Sequence, residues 1–178
     1  WVINRISSTR WWMFWREKGF VTATEATVVV TGGTGFIGAE VLHELGRGQT
    51  KSLSLLRSKP DRTHLPTIQG CLPITYRDLR DPGLEKQLRE HRPAVFIHCA
   101  WQGVAGEERN AAYQVSENLP LTIESVRLAA ACGCQQWIGL GSQAEYGNAN
   151  RILDEEVLPR PTTLYGKAKL AAGIAALA

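Results

Sequence analysis

Tyr165 and Lys169 stand four residues apart in Tyr165-Gly-Lys-Ala-Lys169, a spacing that puts both side chains on one face of a helix. A free tyrosine titrates near ~10 and is a poor acid or base at neutral pH. Bringing it to 7 takes about three units, roughly 4 kcal/mol of preference for the tyrosinate, and a neighbouring ammonium is one source of that preference. By itself Y-x-x-x-K is common on helix surfaces. Ser142 supplies a context, because it directly follows the apolar run Gln136-Trp-Ile-Gly-Leu-Gly141. A hydroxyl there can donate a hydrogen bond to a carbonyl or alkoxide held beside the tyrosine.

A second constellation lies near the start of the chain. Thr31-Gly-Gly-Thr-Gly-Phe-Ile-Gly38 satisfies G-x-G-x-x-G through Gly33, Gly35 and Gly38, and G-x-x-G-x-x-G through Gly32, Gly35 and Gly38. It joins a β-branched run, Thr27 to Thr31, to residues apolar at helical spacing, Ile37, Val41, Leu42 and Leu45. In that setting the glycines let a backbone turn approach a pyrophosphate closely, and the helix start offers its N–H groups to the phosphates. The second strand ends in Leu55-Leu-Arg-Ser58, with no acid before Asp61. An acid there would grip the ribose 2′-hydroxyl of NAD. Arg57 instead suits a 2′-phosphate, which favours NADP(H) and keeps NAD(H) as the alternative. The positive nicotinamide of such a cofactor would be a further source of tyrosinate stabilisation.

The elements that must position these groups alternate between strand and helix. Strands are expected at Thr27–Thr31, Ser52–Leu56, Leu72–Tyr76, Ala94–Ala100 and Gln136–Gly141. Helices are expected from Ile37 until Gly46 and Gly48 stop it, over Leu84–His91 before Pro93, over Leu121–Cys132, and from Thr162 or Thr163 to the end. Alternation of this kind predicts a Rossmann-like, doubly wound parallel α/β sheet with helices on both faces. Ser142 then falls at the carboxyl end of the sheet, where ligands of open α/β folds bind. The stretch from Lys59 to Gly70, with two prolines, is expected to be a surface loop.

With 178 residues, 44% hydrophobic and 21% charged, the chain has the composition of a globular domain rather than a collagen-like or disordered one. Its net charge of +3 comes from residues 1–20, where Arg5, Arg10, Arg16 and Lys18 outweigh Glu17 and four of six tryptophans sit. The remainder is neutral, which argues against a nucleic-acid-binding domain. No uncharged apolar run approaches the ~20 residues of a membrane span, and the apolar block Trp11–Trp15 is too short for a secretory signal. Residues 1–26 are expected to be an extension outside the domain, unfolded or, alternatively, a basic Trp-rich helix on a membrane surface. Cys71, Cys99, Cys132 and Cys134 lack zinc-ligand or C-x-x-C spacing and read as reduced, mostly buried thiols of a cytoplasmic protein. No metal site is expected.

From about Thr27 to Ala178 the sequence resembles the extended short-chain dehydrogenase/reductase family, the NAD-dependent epimerase/dehydratase enzymes of nucleotide-sugar metabolism. The resemblance rests on Thr31–Gly38, Asp78-Leu79, His98-Cys-Ala-Trp101, Gly141-Ser-Gln-Ala-Glu-Tyr-Gly147 and Tyr165/Lys169. It implies a catalytic triad of Ser142, Tyr165 and Lys169. It also implies cofactor contacts from Gly32, Gly33, Thr34, Gly35, Phe36, Ile37, Gly38, Arg57, Ala100 and Lys169, with Asp78 and Leu79 flanking the adenine. Asn118 resembles the family's helix-start asparagine.

Gln143-Ala144 follows Ser142 where the family's 4,6-dehydratases carry an Asp-Glu pair, so dehydration is disfavoured. The segment is more similar to the CDP-abequose synthase-like 4-ketoreductases. The resemblance therefore implies an NADP-dependent oxidoreductase reducing a 4-keto nucleotide sugar, with an epimerase or a non-catalytic cofactor-binding regulator as alternatives. Glu145 is either a substrate contact or a solvated loop acid, and His98 is expected to be packed and hydrogen-bonded rather than catalytic. The helices at 121–132 and 163–178 are expected to pair across a homodimer or to pack within the chain. Because the family continues beyond the position of Ala178 into a C-terminal substrate-binding region, the chain is expected to be an incomplete domain, inactive alone.

Overall fold

Every residue of Thr27-Val-Val-Val-Thr31 is buried, as a β-branched run covered on both faces must be, and this run forms the central strand of the sheet. The structure, a computed structural model, describes residues 26–57, 68–148, 152–154 and 156–177. The basic, Trp-rich head, Ser58, Asp61 and most of the expected surface loop lie outside the described residues.

The elements in chain order are β1 (Thr27–Thr31), α1 (Phe36–Arg47), β2 (Lys51–Arg57), β3 (Cys71–Tyr76), α2 (Pro82–Glu90), β4 (Pro93–His98), α3 (Leu119–Ala131), β5 (Gln136–Gly139) and α4 (Leu164–Ala176). Short 3-10 turns stand at Gly106–Asn110 and Gln143–Glu145, and a π-helical turn at Gln114–Asn118 leads into α3. The five strands form one parallel sheet in the order β3-β2-β1-β4-β5. This is the doubly wound, Rossmann-like architecture.

Alternation along β1 divides the core. Val28 and Val30 pack with Leu42, Val41 and Leu45 of α1 on one face. Val29 turns to the other, with Leu84 and Leu88 of α2, Leu128 and Ala129 of α3, and Ala176 of α4. Helices thus cover both faces. The register sets Thr31 against Leu55 and His98, and His98 against Gly139, so β1, β4 and β5 end level while β2 runs two residues further, to Arg57. Strand order reverses between β1 and β4, and that reversal opens a crevice above the level ends.

Several boundaries differ from the sequence expectation. Gly46 does not stop α1; the helix runs to Arg47 and is capped at Gly48. A β-carbon at Gly46 would lie 2.6 Å from Ile68, so this glycine makes room for the next segment. Helix α2 starts two residues early because Asp81 caps it, accepting from the Gly83 N–H at 2.8 Å, with Pro82 in the first turn, where a missing N–H costs nothing. Helix α3 starts at Leu119 because it continues from the π-helical turn, with Pro120 in its first turn and no side-chain cap. Strands β4 and β5 end two residues short of expectation, at His98 and Gly139.

Candidate active site

The glycine turn closes the gap between β1 and α1. Gly32 has φ +73°, and a β-carbon on it would lie 2.7 Å from the Ala100 nitrogen; only glycine combines that conformation with that approach. At Gly38 a β-carbon would overlap the Gly32 carbonyl oxygen, so α1 can start only if this residue is glycine too. Gly35 caps α1 without any side-chain hydrogen bond, which leaves the first N–H groups of the helix without a side-chain acceptor. Phe36 is almost fully exposed and Ile37 partly so.

Beside this turn runs a cleft of about 300 Å³, walled by the glycine turn and Thr34, by Leu55, Leu56 and Arg57, by Tyr76, by Cys99 through Gln102, and by Leu121. Its helix N-terminus, its glycine floor and its basic wall are the features a dinucleotide requires, and the residues present fit one. Arg57 also acts on Tyr76: burial raises that phenol, and the guanidinium offsets part of the rise. Asp78 stands past the end of β3, its carboxylate taken by Arg80 through Nε (3.0 and 3.1 Å) and Nη2 (2.7 Å) and held down to about 2. The Leu79 side chain faces the core and its carbonyl accepts from Arg127 Nη2 at 3.2 Å, and neither Asp78 nor Leu79 lines the cleft. Burial pushes the Cys99 thiol up to about 11, which leaves it unreactive at neutral pH.

The second group lies at the far wall. Thr163 caps α4 by accepting from the Gly166 N–H at 3.1 Å, and Asn110 Oδ1 accepts from the Leu164 N–H at 3.1 Å. From α4, Lys169 reaches the end of β5 and donates to the Leu140 carbonyl at 3.0 Å. Its ammonium stands 3.9 Å from the ring centroid of Trp101. The same indole meets Tyr165 edge-on, with centroids 5.9 Å apart and planes at 88°. The Arg109 guanidinium covers the Tyr165 ring at 5.1 Å. Burial lowers Lys169 to about 8, opposed chiefly by the Glu145 carboxylate. The two constellations are contiguous because Trp101 walls the cleft and touches both Lys169 and Tyr165.

Ser142 stands two residues beyond Leu140, its Oγ accepting from the Ala144 N–H at 3.2 Å. Glu145 is buried, not a solvated loop acid. Its carboxylate accepts from the Ser142 N–H at 2.6 Å and closes a capping box on the turn; burial raises its pKa, against the opposing pull of that N–H and of Lys169. The spacing Ser142-Gln-Ala-Glu145 carries that information in the sequence itself. His98 is packed as expected. Its Nδ1 lies 2.8 Å from Thr31 Oγ1 and its Nε2 3.4 Å from Thr122 Oγ1, and burial, then the Lys169 charge, push it down to about 3.

Asn118 holds the loop after β4 in both directions, accepting from the Gln102 N–H at 3.0 Å and donating to the Gln102 carbonyl at 2.9 Å. Arg109 and Gln114 had no motif to mark them. Among the described residues, no cluster of three or more His, Cys, Asp or Glu is placed to hold a metal, and no helix is long and apolar enough to cross a membrane.

The profile of the NAD dependent epimerase/dehydratase family matches residues 28–178. The chain belongs to that family. Among curated relatives, the UDP-glucose 4-epimerase of Azospirillum brasilense is 28% identical over 154 residues. UDP-glucose 4-epimerase 4 of Oryza sativa subsp. japonica is 29% identical over 167 residues. In each case the match covers 84% of this chain and 43% of the relative, so the chain spans under half the length of these proteins. Among solved structures, MoeE5 in complex with UDP-glucose and NAD superposes with a TM-score of 0.67 at 28% identity, over 85% of this chain and 48% of that one.

Proposed function

We propose that this chain is the NAD(P)-binding part of an enzyme that oxidises and re-reduces a nucleotide sugar at C4, a nucleotide-sugar 4-epimerase. The observation that carries the reading is the shared wall: Trp101 borders the glycine-turn cleft and contacts Lys169 and Tyr165. The similarity to UDP-glucose 4-epimerases supports it. The cleft residues Gly32, Thr34, Gly35, Arg57 and Ala100 would hold the dinucleotide, and Gly33, Phe36, Ile37 and Gly38 complete the set of contacts. When bound, the dinucleotide supplies a hydride acceptor and donor.

The chain's own residues move the proton. Tyr165 accepts the proton of the sugar hydroxyl as that oxygen becomes a carbonyl and returns it on reversal. Ser142 Oγ has a lone pair engaged by the Ala144 N–H, so its own hydrogen is free to point at the sugar oxygen and stabilise developing charge there. Lys169 supplies positive charge on the same helical face as Tyr165, fixed by the Leu140 carbonyl.

A second reading, reduction of a 4-keto sugar with NADPH, is favoured by Arg57 on the cleft wall and by Gln143-Ala144 after Ser142, which offer no acid pair for dehydration. The exposed Ile123 of α3 and Ile174 of α4 belong to the same proposal as the surface through which two copies would pair.

The full-length protein, incubated with NAD and UDP-glucose, is expected to form UDP-galactose with no net change in cofactor, and Tyr165→Phe is expected to abolish this. One-way oxidation of NADPH by a 4-keto nucleotide sugar would replace the epimerase by the reductase. Neither reaction occurring would overturn both.

A further inference from the structure

The π-helical turn before α3 does something the catalytic motifs leave unexplained. A π turn widens the helix by one residue, and such turns recur at functional sites. Here it sets Gln114 and Asn118 both inward and buried, with Asn118 Nδ2 donating to Gln114 Oε1 at 3.1 Å. That same Oε1 accepts the Trp101 indole N–H at 2.8 Å. Gln114 Nε2 in turn donates to the carbonyls of Gly103 and Glu108, the latter at 2.9 Å. Gln114 is wholly buried, so each of its polar atoms must be satisfied internally, and they are. The amide therefore has one orientation, and it fixes the plane of Trp101.

That plane matters because Lys169 lies over its face, 3.9 Å from the centroid, while Tyr165 meets its edge. A cation gains from the negative face of an indole, and gains more when desolvated. We propose that Trp101 is a further residue of the active site, holding the Lys169 ammonium in its charged form beside Tyr165, and that Gln114 is the positioning residue that aims it. The contacts stand on their own; their catalytic meaning rests on the role given to Lys169 above.

Burial works against that charge, lowering Lys169 to about 8. The other groups facing it are Glu145 from the turn after β5, whose charge opposes the fall, Cys99 from the end of β4, a neutral thiol in this pH range, and His98 of β4, which bears the repulsion. Tyr165 shares its helix face. The ring contact the ammonium makes is with the Trp101 face, so the indole contribution can be read separately.

The test is acylation of Lys169 by an amine-reactive reagent across pH, read by peptide mass spectrometry in the cofactor-free chain. Site-specific replacement of Trp101 by tryptophans with one to four fluorines drains the ring face while preserving its size and its N–H. The labelling midpoint is expected to fall stepwise, by about one pH unit across the series, which from a midpoint near 8 is about fivefold more labelling at pH 7. A flat series overturns the role of Trp101.

In Gln114→Met the dependence on fluorination is expected to weaken, because the ring is no longer aimed; an undiminished dependence removes Gln114 from the account. Should that variant not fold, the unaltered chain still decides. A Trp101 indole N–H protected from solvent exchange supports the Gln114 contact, and a freely exchanging one contradicts it. Dinucleotide binding by the unaltered chain reports separately on the reading of the cleft.

Discussion

A β-carbon on Gly166 would overlap the Ala144 carbonyl oxygen and lie 2.9 Å from its carbon, so the absence of a side chain here is what seats α4 against the Ser142 turn. Both atoms are backbone and cannot swing away. The residue lies between Tyr165 and Lys167, and its spacing from Ser142 therefore sets how closely the Tyr165/Lys169 face approaches that hydroxyl.

Gly166→Ala gains helix propensity, about 1 kcal/mol, yet is expected to destabilise the chain by roughly 1–3 kcal/mol because the close approach must open. Denaturant unfolding measures this. An alanine variant as stable as the parent would mean that α4 is free to shift, and that the seating described above is loose.

Lys169 gives stability a pH dependence with a defined sign. Its folded pKa is about 8 against an ordinary 10.5, so between these values the unfolded chain binds more protons, and stability rises with pH. Across the window the rise is on the order of 3 kcal/mol. Subtracting the profile of Lys169→Met from that of the parent isolates the term. The difference is expected to climb from pH 8 to 10.5; a flat difference would place Lys169 in solvent.

Arg57 sets the cofactor preference if it meets a 2′-phosphate. Arg57→Ala is expected to weaken NADPH binding about tenfold or more, a charge-assisted pair being worth about 1.5–3 kcal/mol, while leaving NADH nearly unchanged. Calorimetric titration of both cofactors checks it. Equal losses for the two would assign Arg57 to Tyr76 and not to the cofactor.

The frame of the fold was legible because its signals are local and periodic. The β-branched run of β1, the glycines after it and the apolar spacing of α1 each have a short-range cause, and they fix the cleft. Thr163 and the Tyr165/Lys169 spacing likewise announce α4. Long-range relations were not legible in the same way. Gln114 and Trp101 are thirteen residues apart and meet only because a π turn rotates one toward the other, and a π turn has no hydrophobic period to reveal it. Gly46 resembles a helix stop, and only the packing of Ile68 shows why it lies inside the helix. Arg109 becomes notable once Tyr165 is seen beneath it.

The central claim is that the glycine turn holds a dinucleotide next to the Lys169 cluster, and Gly35→Ala tests it most directly. A β-carbon at Gly35 would sit 3.3 Å from the Gly32 carbonyl oxygen, close but tolerable, and the loss of an N-cap glycine costs about 1 kcal/mol or less. The variant is therefore expected to fold while its methyl group stands where a pyrophosphate must approach. Titration of the chain with NADH and NADPH should show saturable binding that falls more than tenfold in Gly35→Ala. No binding by the parent chain, or equal binding by the two, would contradict the account.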